Sequence, residues 1–600
     1  MSNRLLLTVA SVAVAFAAAD TYVVVLALPD MMTSVGLAVD ELQRAAPIVS
    51  GFLLGYVAVL PLIGRIADLR GRVPVLVASL VVFAFGSLVT AAAYDLPSMV
   101  TGRFLQGVGG GGLVPATLAL VADLYPPARR GMPLGVVGAV QEVGSVLGPL
   151  YGAAVLALTE WEAIFVINMV VAVVLAVILR RAASHPVTPH PENPHLADPS
   201  PMRPFSRRVA TEVTGHRDWF GAALLGLALI ALVLTMVQPT ALTTSLTVGL
   251  AFVPVTGDSR WLSPVGIAAV LLWCGFLLRC LTAARPLVDL RRWIDVARRA
   301  DLVGAGLLAL ALAGIILAFA TADPEVSLLS PAGPWLLAGS LVAAVAFAWH
   351  VRRAAEPLVP RRALAGRAAW GALLVSLFVG AALIAALVDI PIFARVTVYP
   401  SSQLDAALVL VRFLVALPVG ALTGGYLIHR LPTGVIAAAG MLFAALGFAW
   451  MSTWGLTSLS HAVATAPLVL TGLGFGLALA PVNAALLAAT ADSVHGIASA
   501  LLVVSRMVGM LIGISTLTTI GLRRYYAVQA DLPAPLDVCP SGTQCAAYSR
   551  LLKEAGLEQL QTVFVGAAVC AVAAAVLAAA LLRTVPSRDE RRLSATALLD

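Results

Sequence analysis

Sixteen apolar stretches, most of them about 20 residues long, punctuate this 600-residue chain and limit the folds open to it. At 1.5 Å per residue, about 20 helical residues cross a hydrocarbon core roughly 30 Å thick. Inside such a core each backbone N–H and C=O needs a partner within its own segment, so runs of this length become helices. They lie near 5–28, 46–63, 75–93, 98–120, 132–157, 163–179, 219–237, 263–283, 302–320, 335–350, 368–391, 404–428, 433–451, 465–489, 496–522 and 560–582. Composition agrees: 60% of residues are hydrophobic and 12% charged, about half the charge of a soluble domain. A soluble enzyme, a nucleic-acid binder and a disulfide-rich secreted scaffold are excluded. An all-α polytopic membrane protein with about 16 transmembrane helices is expected.

The net charge of +7 does not point to nucleic acid, because of where the charge sits. The basic residues, all arginine except Lys553, crowd the segments on the N-terminal side of the spans and are sparse on the other. That asymmetry follows the positive-inside rule and puts both termini in the cytoplasm. The first apolar stretch is too long for a signal-peptide core and no small-residue cleavage site follows it, so it is expected to be a retained helix.

The spans fall into three blocks. Residues 1–180 hold six and residues 368–583 hold six more, with a cytoplasmic tail at 584–600. Between them lie a Pro/His/Arg-rich linker at 181–218 and four additional spans at 219–367. The linker's prolines and polar composition leave it nothing to bury. His185, His190 and His195 recur within it, but separated by prolines and with no cysteine beside them they make a poor metal set. The four central spans read as a duplicated hairpin. Residues 218–229 match residues 301–312 at eight of twelve positions, Asp218/Asp301 and Gly221/Gly304 among them. Each copy ends in Pro-Leu-Val, at Pro286 and Pro357. Two six-helix halves around a central insertion suggest a transporter with internal repeats.

The loop after the second span reads Gly64-Arg65-Ile66-Ala67-Asp68-Leu69-Arg70-Gly71-Arg72. Its glycines permit a tight turn. Asp68 can sit at the positive end of a helix from the other half, near Gly496. The arginines, Arg65 and Arg72 among them, can reach Asp123. Arg103-Phe-Leu-Gln-Gly107 places an arginine inside the fourth span, and Gly144-Ser-Val-Leu-Gly148-Pro149-Leu-Tyr-Gly152 gives the fifth a pattern suited to close packing and bending. Trp161-Glu-Ala-Ile-Phe-Val-Ile-Asn168 opens the sixth. These stretches resemble, in residues and in position, the signature motifs of major facilitator superfamily drug:proton antiporters with extra central helices. The resemblance implies that fold, with Gly64, Arg65, Asp68, Arg72, Arg103 and Asp123 in conformational gating and the Gly144–Gly152 run as the antiporter motif.

Ionisable residues inside spans are costly to insert and mark function. Asp20, Glu142, Asp389, Arg412 and Arg506 are such residues. A buried carboxylate that exchanges a proton for an arginine partner is a coupling device, and Asp20 or Glu142 exchanging with Arg506 fits that role. A static ion pair joining the halves is the structural alternative; for Asp389 and Arg412 the two readings weigh about equally.

A closer resemblance runs through Asp20-Thr-Tyr-Val-Val-Val, Gln141–Gly152, Leu417–Gly425, His495-Gly-Ile-Ala-Ser-Ala and Arg506–Gly513. These look like the mycobacterial triacylglyceride and multidrug exporters that work with a lipid-carrying lipoprotein. What this implies is proton-coupled export of triacylglycerides and other lipophilic compounds from the inner membrane, Asp20, Glu142 and Arg506 serving the proton. A multidrug:proton antiporter without a dedicated lipid is the alternative. Two departures stand out. The family usually has fourteen spans, one central hairpin fewer, and the loop at 452–464 is short, which puts the lipoprotein in doubt. The last outer loop, 523–559, carries Cys539 and Cys545, expected to pair on the oxidising side. No nucleophile–base pair, phosphate loop or metal cluster is legible in the sequence, so neither an enzyme nor a cofactor is expected.

Overall fold

The computed structural model describes residues 3–37, 42–126, 129–183, 218–245, 247–320, 330–360, 364, 366–399, 402–539 and 545–582. The Pro/His/Arg-rich linker with its three histidines and the tail at 584–600 lie outside the described residues, as do the side chains of Glu142 and Pro149. Every long element described is a helix. In chain order they are α1 (Asn3–Ser34), α2 (Leu42–Arg70), α3 (Arg72–Ala91), α4 (Leu96–Leu124), α5 (Gly131–Leu156) and α6 (Glu162–Ala183). The central segment gives α7 (Trp219–Val237), α8 (Pro264–Thr282), a short α9 (Leu290–Arg299), α10 (Leu302–Ala320) and α11 (Gly333–Arg353). Then follow α12 (Arg367–Thr397), α13 (Gln403–Leu427), α14 (Thr433–Met451), α15 (Thr465–Ala488), α16 (His495–Ala530) and α17 (Ala546–Leu581).

Each expected apolar run coincides with one of these helices. Fourteen of them are long and apolar enough to cross a membrane among the described residues; α1 and α5 are two further long helices packed along each other.

The first six helices and the last six repeat one packing scheme. In the first half α1 lies on α5, α2 and α3 on α4, and α3 on α6. In the second, α12 lies on α16, α13 and α14 on α15, and α14 on α17. Two seams related by the same repeat join the halves: α2 against α16, and α13 against α5. Near the arginine-rich face one apolar cluster runs through both halves, from Leu60 and Leu76 to Leu487 and Val503. Toward the opposite face the first half keeps a cluster of its own, built on Val24, Met31, Ile48 and Phe165, with no residue from α12–α17. The halves are therefore closed on each other at the basic face and separate away from it.

The two central hairpins are built alike. Asp218 accepts a hydrogen bond from Gly221 N at 2.9 Å and pairs with Arg279 at 3.0 Å. Asp301 accepts one from Gly304 N at 2.9 Å and meets His350 Nε2 at 2.7 Å. Arg279 and His350 each stand seven residues before the Pro-Leu-Val landmark, so the copies use the same clasp with a different partner side chain. Hairpin α7–α8 packs beside α3, Trp273 against Phe85 at 5.2 Å. Hairpin α10–α11 packs on α2 and α16.

The sequence assigns 523–559 to an outer loop; much of it is helix. α16 and α17 each run for 36 residues, about 54 Å at 1.5 Å per residue, far more than a bilayer core requires. Hydropathy marks where a helix leaves hydrocarbon, not where it stops. Past that point polar pairs carry the two helices on, Arg524 to Glu558 at 2.7 Å and Arg550 to Glu554 at 3.2 Å. Cys539 and Cys545 form a disulfide between the helix tips.

Candidate functional site

Two constellations carry the site's chemistry, a lock at the basic face and a buried charge network in the first half. At the lock, Gly64 of α2 meets Gly496 at the start of α16. A Cβ on Gly64 would lie 2.6 Å from the Gly496 carbonyl oxygen, so only glycine lets these backbones touch. That approach places the Asp68 carboxylate on the α16 N-terminus, where it accepts hydrogen bonds from Gly496 N at 2.8 Å and Ile497 N at 3.0 Å. Unpaired N–H groups and the helix dipole both favour an anion there. Arg72 holds Asp68 from the other side at 3.0 Å and reaches Asp123 at 3.4 Å. It also spans the halves, donating to the Asp492 carbonyl at 3.4 Å. Arg65 acts on Asp68 electrostatically, and Arg70 lies 4.2 Å over the Trp293 ring of α9.

Deeper in the first half, Asp20 of α1 and Arg103 of α4 are each 1% exposed. Arg103 Nη1 lies 3.0 Å from Asp20 Oδ2 and donates to Gln106 Oε1 at 2.7 Å. Asn168 of α6 donates to the other Asp20 oxygen. Gln106 passes the network to Ser87 at 2.8 Å and Thr90 at 3.3 Å on α3. The guanidinium lies 4.5 Å over Phe52 and 5.7 Å from Phe165, geometry that suits a cation on an aromatic face. Arg103 Nε has no hydrogen-bond partner among the described residues.

Gly144, Gly148 and Gly152 lie against α1. A Cβ on Gly144 or Gly148 would run into the carbonyls of Ala15 and Ala19, and one on Gly152 into Val23. The run therefore seats α5 on the stretch of α1 that bears Asp20.

A family model described as Major Facilitator Superfamily matches residues 10–351. The chain belongs to the major facilitator superfamily. The triacylglyceride transporter of Mycobacteroides abscessus is 34% identical over 539 residues, 88% of this chain and 84% of that protein. Those of Mycolicibacterium smegmatis (32% over 596 residues, 96% and 87%) and Mycobacterium tuberculosis (33% over 549 residues, 89% and 86%) are similar in extent. Among solved structures, the human organic anion transporter MFSD10 matches with a TM-score of 0.51 at 14% identity, covering 96% of this chain and 100% of that one. The proton:xylose symporter XylE matches with a TM-score of 0.50 at 13% identity, covering 95% and 94%. These two share the fold alone.

In this facilitator the cation on Asp20 is Arg103, where the sequence reading favours Arg506. Both sit in one half, and residues 83 apart in sequence meet because α4 lies beside α1. Arg506, half-buried on α16, lies within electrostatic reach of Tyr56 on α2. Asp389 is buried on α12 with no hydrogen bond or ion pair among the described residues. Arg412 donates to Thr465 Oγ1 at 3.1 Å and does not meet Asp389. Sequence reasoning quotes Gln106 and Asn168 inside motifs without assigning them roles. The available signal was an amide inside an otherwise apolar run, as in Ile167-Asn168-Met169.

Proposed function

We propose that this transporter exports triacylglycerides and other lipophilic compounds from the inner leaflet side of a bacterial plasma membrane, driven by protons that Asp20 carries. Both termini and the arginine-rich face are cytoplasmic in this reading, so the lock seals the cytoplasmic side and the halves part toward the exterior. Three mycobacterial relatives named for triacylglyceride transport, each aligned over most of its length, support the substrate.

The observation that carries the coupling is the Asp20–Arg103–Asn168 network. A buried carboxylate held by one guanidinium has two competing neutralisers, the arginine and a proton. With the proton on Asp20, Arg103 loses its counter-ion. Its Nε has no partner among the described residues, so the guanidinium turns to another acceptor, and α1 and α4 move relative to each other. Deprotonation restores the pair. Glu142 and Arg506 are the further proton-coupling residues of this proposal, and Asp389 is a lone buried carboxylate available to the same traffic. The Asp68–Gly496 lock then sets when the cytoplasmic side opens, with Arg103 reporting the proton to it through α4, whose inner end bears Asp123. The α16–α17 extension, with the Cys539–Cys545 disulfide closing the loop that leads into α17, is the surface on which a lipid-carrying lipoprotein would dock.

The test is a proteoliposome with an imposed pH gradient and labelled triacylglyceride, comparing the native chain with Asp20→Asn. Gradient-dependent transfer that the substitution abolishes supports the proposal. Transfer of a cationic dye but never of lipid would assign the chain to multidrug:proton antiport instead. Unchanged lipid transfer by Asp20→Asn would remove Asp20 from the proton path.

A further inference from the structure

The two seams between the halves are related by the internal repeat yet built unequally. Gly64 on Gly496, at α2–α16, is matched by Gly425 on Gly131, at α13–α5: a Cβ on either Gly425 or Gly131 would lie 2.6 Å from the other's carbonyl oxygen. Four residues beyond Gly64 stands Asp68, hydrogen-bonded to the start of α16. Four residues beyond Gly425 stands His429, which is exposed. The start of α5 meets a carboxylate of the second half only loosely, Arg130 to the exposed Asp492 at 3.9 Å. One seam carries a buried carboxylate lock and the other a loose surface pair.

The second central hairpin deepens the difference. Ala305 and Leu308 of α10 share an apolar cluster with Leu62 of α2 and with Ile497 and Leu501 of α16. Farther along, Leu312 and Ile316 join the cluster common to both halves, and Ser515 of α16 donates to the Phe319 carbonyl at 3.5 Å. From Ala305 to Phe319 that is about 21 Å of helix at 1.5 Å per residue, most of a hydrocarbon core roughly 30 Å thick. The α2–α16 seam is thus roofed through the membrane. Among the described residues none of the four hairpin helices packs on α5 or α13.

A triacylglyceride has no charged headgroup and resides among acyl chains, so a transporter must take it sideways, between helices, rather than from water. Passage through α2–α16 requires breaking a carboxylate lock and displacing α10. Passage through α5–α13 requires that two closely packed, glycine-faced helices part and that the loose Arg130–Asp492 pair opens, but no buried lock and no further helix stands in the way. We propose that acyl substrate moves between bilayer and cavity through the α5–α13 seam alone, and that the α10–α11 hairpin shuts α2–α16 to it. This rests on the lipid-export reading and assigns a task to the hairpin that the sequence shows as a duplication.

A triacylglyceride with a photoreactive diazirine in one acyl chain tests the assignment on the full chain, cycling in proteoliposomes under a pH gradient. Adducts are mapped with and without excess unlabelled triacylglyceride. Competable adducts should concentrate on peptides bearing Gly135, Gly138, Ala421 and Leu422, about tenfold over those of α2, α10 and α16, a preference worth one decade in occupancy. Competable adducts centred on Leu62, Leu308 or Leu501 would overturn the assignment. No competable adduct anywhere, with dye efflux intact, would overturn the lipid reading itself and the seam with it. A second measurement bridges Leu62→Cys to Leu308→Cys with a bifunctional thiol reagent, the free cysteines Cys274, Cys280 and Cys570 having been replaced. Lipid transfer within about twofold of the unbridged pair fits a hairpin that never leaves its seam. Loss on bridging would refute a static roof.

Discussion

Asp68→Asn should open the basic face, and the geometry sets the size of the effect. The Asp68 side chain is 0% exposed and meets three groups, Gly496 N, Ile497 N and Arg72. Only the first two belong to the other half. Arg72 lies at the start of α3 and stays with Asp68 whichever way the halves move, so it drops out of the difference between closed and open states. A hydrogen bond to a charged acceptor contributes about 1.5–3 kcal/mol, and a buried N–H left without a partner costs about 1–3 kcal/mol. Asparagine keeps one acceptor oxygen for one of the two N–H groups and turns an NH2 toward the other. The net loss is about 3 kcal/mol, which at 1.4 kcal/mol per decade lowers the closed-to-open ratio roughly 100-fold. Val504 on α16 is 5% exposed and sits in the cluster shared by the two halves. Val504→Cys, in a background without Cys274, Cys280 and Cys570, reports opening through its reaction with a membrane-impermeant maleimide. Where opening and closing are fast, the labelling rate follows the open population. Asp68→Asn should raise it by about 100-fold, and by no less than about tenfold if the interaction lies at the low end of the range. A rate within twofold of the parent would mean that the lock contributes nothing across the halves, and the gating argument would fall.

Other consequences are as direct. Asp20→Asn leaves Arg103 without its counter-ion; breaking one side of a buried pair costs about 3–5 kcal/mol, so melting temperature should fall while folded protein is still recovered, and gradient-driven transport should drop below detection. Transport at the native rate would refute the role of Asp20. Gly148→Leu drives a side chain into the Ala19 backbone, and overpacking of about 1–3 kcal/mol should shift α1 and slow transport far more than Val143→Leu on the exposed side of α5. Equal effects of the two would refute the close-packing argument. The clasp of the second hairpin makes stability pH-dependent. Burial works to raise the Asp301 carboxyl, but hydrogen bonds from Gly304 N, His350 and Leu358 N outweigh it and hold the group below the usual carboxylate range. A folded-state value below the unfolded one gives stability that is present above the unfolded value and lost as pH falls through the folded value. The thermal-stability gap between the native chain and Asp301→Asn should be full at neutral pH and close in acid; a gap independent of pH would refute the ionised clasp.

What could be read from the sequence follows from the range over which each interaction acts. Span positions were legible because hydrocarbon enforces helix formation segment by segment, with no help from neighbours. The Gly64–Asp68 loop was legible because a turn and a helix-end anion are local requirements, and Gly496 stands at a helix start of the second half. The hairpin duplication was legible in Asp218/Asp301 and the Pro-Leu-Val landmarks, and the structure adds why those positions matter: each aspartate both caps its helix and grips the side chain seven residues before the landmark. The counter-ion of Asp20 was not legible. Arg103 and Arg506 are equally plausible by composition, and the choice depends on which helix lies beside α1, a property of packing between segments far apart in sequence. The same gap hid the meaning of Gly144, Gly148 and Gly152, whose spacing shows that something packs closely without saying that it is α1. The ends of α16 and α17 escaped for a different reason. Outside hydrocarbon the two helices continue with polar residues and pairs such as Arg524–Glu558, which a search for apolar runs passes over. Where the membrane dictates structure, one sequence suffices; where helix meets helix, the choice among equivalent partners is made by shape. In this chain the Asp20–Arg103–Asn168 network and the two unequal seams both lie on that second side.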